Sequence, residues 1–154
     1  MDKVLGKKDY IWMQYALMLA YVAKKNGEVP VGAILVFNDY IIGTGFNCSI
    51  KNNDPTAHAE MIALKEGGKI LKNYRLYNTT LYITLEPCLM CLGAIIHSRI
   101  SRLVLGTKYQ FKTNKIYNTN NIFTNLKNRI QIDELINCRV YTDLIKNFFK
   151  NKRC

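Results

Sequence analysis

From Asp9 to Lys25 the apolar positions Ile11, Tyr15, Met18, Leu19 and Val22 recur three and four residues apart, the spacing of one face of an amphipathic helix. Asn26-Gly27, a common C-terminal pair, ends it. The pattern then changes. Val29 to Phe37 is a β-rich apolar run, Asn38-Asp39 makes a short turn, and Tyr40-Ile41-Ile42-Gly43 continues as a second strand, so the segment predicts a hairpin. Gly43-Thr44-Gly45-Phe46-Asn47 leaves that strand. Ile50 to Thr56 is mainly polar, a loop feeding a helix from Ala57 to about Lys72. Thr80 to Leu85 reads as the next strand. The helix Cys88 to Ser98 is apolar on almost every side and is expected to be buried. Arg102 to Gly106 is another strand, and strand, helix and strand with short links imply parallel pairing through a right-handed crossover. Between Lys108 and Lys127 the pattern weakens into an Asn-, Thr- and Lys-rich stretch, mostly loop with some helix. Arg129 to Ile132 is a short strand. Asp133 to Arg153 is a final helix with Leu135, Leu144, Ile145, Phe148 and Phe149 as its apolar positions.

No internal repeat divides the 154 residues, so one domain spanning residues 1–154 is expected, large enough to bury a core. The element order predicts an α/β fold, a three-layer α/β/α sandwich around a mixed five-stranded sheet. No apolar run approaches the roughly 20 residues that cross a bilayer, and Met1 to Asp9 carries no signal-peptide apolar block. The expectation is a cytoplasmic protein with no membrane partner, in a reducing compartment where cysteines bind metal or pack instead of pairing. Five cysteines is an odd number for a disulfide framework. Cys48, Cys138 and Cys154 are assigned to packing or idle surface.

A formal net charge of +11 favours polyanionic partners such as nucleic acid. Its distribution says more than its size. Residues 106–154 carry ten Lys/Arg against three Asp/Glu, and residues 1–105 carry twelve against eight. Most of the excess lies in the last third, although a Lys-, Asn-, Ile- and Tyr-rich composition would produce charge without any binding role.

The chemistry concentrates in two short segments. Cys88 and Cys91, at i and i+3, share one face of a helix that begins near Pro87, so both thiolates can reach one ion; proline suits a helix's first turn. His58 adds a third good zinc ligand. Tetrahedral zinc takes four, so three protein ligands leave one position for water, as catalytic sites do and closed structural sites do not. His58 and Glu60, at i and i+2, diverge by roughly 200° on an ideal helix. They converge only if the metal lies off the helix end, which puts zinc between the N-termini of two helices, where both dipoles favour anionic ligands. Either fragment alone is commonplace: a redox or structural Cys-x-x-Cys, a packed histidine. The ordered combination His-x-Glu followed by Pro-Cys-x-x-Cys is the signature of zinc nucleobase deaminases, with the glutamate as the proton carrier. Glu60 is thus the expected catalytic residue and His58, Cys88 and Cys91 the expected ligands.

Asp54-Pro55-Thr56-Ala57-His58-Ala59-Glu60, Asn73-Tyr74-Arg75-Leu76, Thr84-Leu85-Glu86-Pro87-Cys88-Leu89-Met90-Cys91 and Gly93-Ala94-Ile95-Ile96-His97-Ser98-Arg99-Ile100 resemble the bacterial tRNA-specific adenosine deaminase family. The similarity runs from about Tyr10 to Leu105 and resumes near Asn128 through Phe148-Phe149. The resemblance implies a cytidine-deaminase-like fold, one Zn2+ per subunit, a homodimer, and hydrolytic conversion of adenosine to inosine in the anticodon stem-loop of tRNA, at the wobble position. It supports Asn47, leaving its strand, as a substrate-binding residue through its amide, and Phe149 as a ring stacking on an unpaired base beside the cations of Lys150-Asn151-Lys152-Arg153. Phe148 is expected in the core, His97 is expected to pack or cap its helix, and the role of Glu86 is open. One departure stands out: after Gly106 the family usually has a small residue, a basic one and an aspartate that helps hold the nucleic acid. Here Thr107-Lys108-Tyr109 puts Tyr109 where that aspartate would fall. Tyr109 is expected to grip the RNA by stacking, helped by Lys108 and Lys112. Two other functions compete: a zinc deaminase of a free base or nucleoside such as guanine or cytosine, and a non-catalytic zinc-stabilised RNA-binding module. The basic last third and Phe149 favour RNA over a small substrate, and the open coordination position with Glu60 favours catalysis.

Overall fold

The computed structural model of the chain describes residues 5–108, 124–135 and 139–152. Its elements in chain order are α1 (Lys7–Lys25), β1 (Gly32–Phe37), β2 (Tyr40–Phe46), α2 (Ser49–Asn52), α3 (Ala59–Leu71), β3 (Thr79–Ile83), α4 (Leu89–Ser98), β4 (Arg102–Leu105), β5 (Gln131–Glu134) and α5 (Arg139–Lys152). The five strands form one mixed sheet in the order β2-β1-β3-β4-β5. β1 is antiparallel to both β2 and β3, while β3, β4 and β5 run parallel. The crossover from β3 through α4 to β4 pairs its strands in parallel, as the short links required.

The sheet's two faces follow the period-two alternation of its strands. Ala33, Leu35, Leu81, Ile83, Leu103 and Leu105 point to the side covered by α3 and α4. Ile34, Val36, Tyr82 and Val104 point to the other side, against α1 and the Tyr141 and Leu144 positions of α5. The result is the expected three-layer α/β/α sandwich.

Helix α1 buries a different face from the one its larger side chains suggested. Met13, Ala16, Leu17, Ala20 and Ala23 are buried, whereas Ile11, Tyr15, Met18 and Val22 are 41–64% exposed. The physical reason is distance. A Cβ placed on Gly32 would stand 2.0 Å from the Ala16 carbonyl oxygen, so helix and strand are nearly in backbone contact and only small residues fit between them. At its end the helix behaves as the sequence indicated: Asn26 is the C-cap and Gly27 adopts φ +76°.

The last helix also begins later than its sequence suggested. Asp133 lies in β5, opposite Val104 of β4, and accepts a 2.6 Å hydrogen bond from Arg102 Nε. Leu135 is buried beside the strand end, its N–H bonded to the Leu105 carbonyl. Arg102 donates in addition to Asp9 at 2.6 and 3.1 Å, and Tyr82 Oη donates to Asp9 at 2.7 Å. This network ties the start of α1 to β3, β4 and β5 at the end of the sheet where β4 begins.

Candidate active site

At the opposite end of the sheet, α3 and α4 point their N-termini at one place. The chain leaves β2 at Phe46, and the Asn47 N–H bonds back to the Val31 carbonyl at 3.2 Å. Its side-chain oxygen accepts the Ala59 N–H at 2.9 Å and so fixes the first turn of α3. Asp54 accepts the Thr56 N–H and hydroxyl at 2.8 and 2.7 Å, closing the Asp54-Pro55-Thr56 turn that leads to His58. His58 is the N-cap of α3, with extended backbone (φ −82°, ψ 155°). Extended backbone at the cap resolves the divergence between positions 58 and 60: the histidine is outside the helical path, and Glu60 is inside its first turn. Cys88 is likewise the extended N-cap of α4 (φ −71°, ψ 171°), and Cys91 lies one turn in.

The three ligand atoms lie within 4.8 Å of one another. His58 Nδ1 is 3.6 Å from the Sγ atoms of both Cys88 and Cys91. A tetrahedral zinc with Zn–N near 2.05 Å and Zn–S near 2.3 Å demands an N···S separation of about 3.6 Å. The donor set therefore has the size and the chemistry of a zinc centre with three protein ligands. The chain also prepares a thiolate: a hydrogen bond from the Cys91 thiol, with help from His58, brings Cys88 down to about 4. Cys91, giving that hydrogen bond and buried, is pushed well up. Among the described residues no disulfide competes for these sulfurs, and Cys48, at the N-cap of α2, is also free.

Glu60 is 3% exposed. Burial pushes its carboxyl up to about 7, where a group can hold or release a proton near neutrality. Around it is a hollow of about 250 Å3 lined by His58, Cys88 and Pro87, by Asn47, by the apolar Val29, Val31 and Leu85, and by Phe149 from α5. Phe149 is half-buried, its ring edge-on to the buried Phe148 at 5.4 Å between centroids. The structure thus gathers Asn47, His58, Glu60, Cys88, Cys91 and Phe149 at one site. Tyr109 and Lys112 lie outside the described residues.

Three features escaped the sequence reading. Val29, Val31 and Leu85 serve as an apolar wall although they read as ordinary strand residues; of the three only Leu85 stands beside a motif, two residues before Pro87. The Asn47 oxygen is committed to α3, which leaves its amide nitrogen as the group available to a ligand. Helix α4 is not buried all round: Leu89 and Met90 are 40% and 36% exposed beside the site, and His97 is exposed on the groove between α3 and α4 instead of packing.

The model of the cytidine and deoxycytidylate deaminase zinc-binding region matches residues 7–107. The tRNA-specific adenosine deaminase of Buchnera aphidicola subsp. Schizaphis graminum is 56% identical over 150 residues, 96% of this chain and 98% of that protein. A solved structure from a study of A-to-I editing by tRNA:A34 deaminases at the wobble position of transfer RNA is 39% identical with a TM-score of 0.65, covering 66% of this chain and 78% of its own. Guanine deaminase from Bacillus subtilis is 33% identical with a TM-score of 0.63, covering 74% of this chain and 70% of its own.

Proposed function

The chain belongs to the cytidine and deoxycytidylate deaminase zinc-binding family, and from that premise we infer that it hydrolyses adenosine to inosine at the anticodon wobble position of tRNA. The observation that carries the substrate is the 56% identity to a tRNA-specific adenosine deaminase along nearly the whole of both chains. It is an enzyme with a zinc cofactor, and His58 Nδ1, Cys88 Sγ and Cys91 Sγ would hold the ion. When bound, zinc lowers the pKa of a coordinated water from 15.7 towards about 7.

The chain's own residues do the rest. Glu60, buried beside the ligands, takes the proton of the attacking water and delivers it to the purine ring nitrogen N1. It then helps protonate the amine leaving C6, so that adenosine and water become inosine and ammonia. The apolar wall of Val29, Val31 and Leu85 excludes bulk water and accepts the face of the base. Asn47 holds base edge or ribose with its amide nitrogen, and Phe149 stacks on a neighbouring unpaired base. Tyr109, next in sequence to Lys108, adds a second stacking ring.

A second copy completes the enzyme as a homodimer. The support is a groove of about 540 Å3 between α3 and α4, lined by Met61, Leu64, Leu76 and Ala94 together with Lys65, Lys69 and Lys72, and the exposed Leu89 and Met90 of α4. Light scattering of the zinc-loaded protein reads this directly; a monomer at micromolar concentration overturns it. No helix among the described residues is long and apolar enough to cross a membrane. Thiolate ligands and unpaired cysteines suit the reducing cytoplasm, where tRNA also resides.

The deciding experiment incubates zinc-loaded protein with total tRNA and digests the RNA to nucleosides. Inosine is expected from tRNA, with no product from free adenosine, guanine or cytosine at the same concentration. Turnover of guanine or cytosine with none of tRNA would replace this reading with a free-base deaminase.

A further inference from the structure

Helix α5 lines two hollows. Phe149 faces the zinc site, and Arg139, Thr142 and Lys146 face a second groove of about 500 Å3, whose other wall is Thr107, Lys108 and Glu134 at the ends of β4 and β5. Residues 139, 142, 146 and 149 recur at intervals of three, four and three, so they share one stripe of the helix. At 1.5 Å per residue Lys146 lies about 4.5 Å and Arg139 about 15 Å along the axis from Phe149. The hollows are also joined on the strand side. The N–H of Glu86, which lines the zinc site, bonds to the Thr107 carbonyl at 3.0 Å.

The charges in this groove are unevenly matched. Lys108 is ion-paired with Glu134. Arg139 and Lys146 have no ion pair among the described residues, and Asp143 is the remaining carboxylate on the groove. The Thr107 and Thr142 hydroxyls, 2.8 Å apart, sit between the cations. Two exposed cations on one stripe, hydroxyls between them, and continuity with a base-sized hollow make a surface for an anion that repeats along a chain.

We propose that Arg139 and Lys146 bind the phosphodiester backbone of the RNA flanking the target adenosine, so that the strand leaves the zinc site along α5 with its phosphates in this groove. The inference rests on the RNA reading given above. Arginine takes a phosphate with two parallel N–H donors and lysine takes one as a point charge. The 15 Å from Phe149 to Arg139 spans at most about four stacked nucleotides at 3.4 Å each.

The test uses zinc-loaded protein, an anticodon stem-loop RNA, and the double variant Arg139→Gln/Lys146→Gln, with Lys7→Gln/Lys8→Gln at the far end of the sheet as the charge-matched control. The dependence of log Kd on log salt is measured for each, along with the deamination rate at saturating RNA. Two lost single-strand phosphate contacts reduce the slope by about 1.4. That loss is expected in the first variant alone, with its saturating rate unchanged. Methylphosphonate substitution at the flanking phosphates should weaken wild-type binding and leave the variant indifferent. A wild-type slope retained by Arg139→Gln/Lys146→Gln overturns the groove and leaves the RNA reading standing. An equal loss in the control variant also overturns it, by reducing the effect to net charge. A wild-type protein that neither binds nor deaminates RNA overturns both readings together.

Discussion

Gly45→Ala is a one-methyl change on β2, away from the ligand side chains themselves, and it should cripple the metal centre. A Cβ at this position would stand 2.0 Å from the Ala59 carbonyl oxygen and 2.9 Å from the Ala63 nitrogen, both backbone atoms of α3. Since Cβ contacts below 3.0 Å essentially never occur, α3 must retreat from the sheet by about 1 Å. That helix carries His58 at its cap and Glu60 in its first turn, while Cys88 and Cys91 ride on α4 and stay behind. Metal ligands tolerate displacements of about 0.2 Å. The expected consequence is a 10- to 100-fold loss of zinc affinity, the scale seen when a ligand's support is disturbed, and about 1–3 kcal/mol of overpacking strain. Where zinc is forced in by excess metal, the rate should still fall about 100-fold, because Glu60 is misplaced by the same shift. Gly43→Ala is the matched control. Its Cβ meets the Ala63 carbonyl oxygen at 2.2 Å, one turn farther from the cap, so it should cost similar stability and less zinc affinity. Chelator competition gives the affinities and thermal melts give the stabilities. If Gly45→Ala loses stability but binds zinc within about twofold of wild type, the close β2–α3 contact does not position His58 and the reasoning fails.

Other perturbations separate metal, proton and scaffold. Glu60→Gln should keep a full zinc equivalent while losing nearly all turnover, because an amide cannot accept the water's proton; loss of stoichiometric zinc would make Glu60 a ligand. Cys88→Ser or Cys91→Ser should lose the metal and melt lower, as should the wild-type protein treated with chelator, since the ion links the caps of α3 and α4; full zinc content with an unchanged melt would remove that cysteine from the ligand set. Asp9→Asn should cost about 3 kcal/mol, the low end for breaking a buried pair, because Asp133 still faces Arg102. Burial raises the Asp9 carboxyl most, but the hydrogen bonds from Arg102, Tyr82 and Gly6 outweigh it and hold the group below its usual 3.8. Its contribution is therefore complete above about pH 4 and is lost as pH falls through the depressed native value. The difference in melting temperature between wild type and Asp9→Asn should shrink below pH 4, and a gap that persists there would mean the carboxylate charge is not its source.

The clustering of His58, Cys88 and Cys91 was legible because its geometry is local. Cys88 and Cys91 need only one helical turn to converge, and the i, i+2 conflict between His58 and Glu60 already demanded a site beyond a helix end. The hairpin of β1 with β2 and the parallel pairing of β3 with β4 followed from short links for the same reason, whereas the neighbours β1 with β3 and β4 with β5 did not. What sequence periodicity could not reveal was how close two backbones come. In α1 the larger side chains Ile11, Tyr15, Met18 and Val22 marked a face by hydrophobicity, but contact with Gly32 selected the face of Ala16, Ala20 and Ala23 by size. Asp133 read as helical because nothing in its own segment announced Arg102, thirty-one residues away and across the sheet. Asn47 was singled out for its amide, yet the hold of its oxygen on the Ala59 N–H depends on a partner twelve residues on.

The ion network at the far end of the sheet divides the molecule into two anchorages. Arg102 is held by Asp9 of α1 and Asp133 of β5, away from the caps of α3 and α4 that carry His58 and Cys88. Stripping a metal from those caps therefore loosens one anchorage and leaves the other fastened. Amide hydrogen exchange should quicken first at the starts of α3 and α4, while the start of α1 stays protected until the whole chain unfolds.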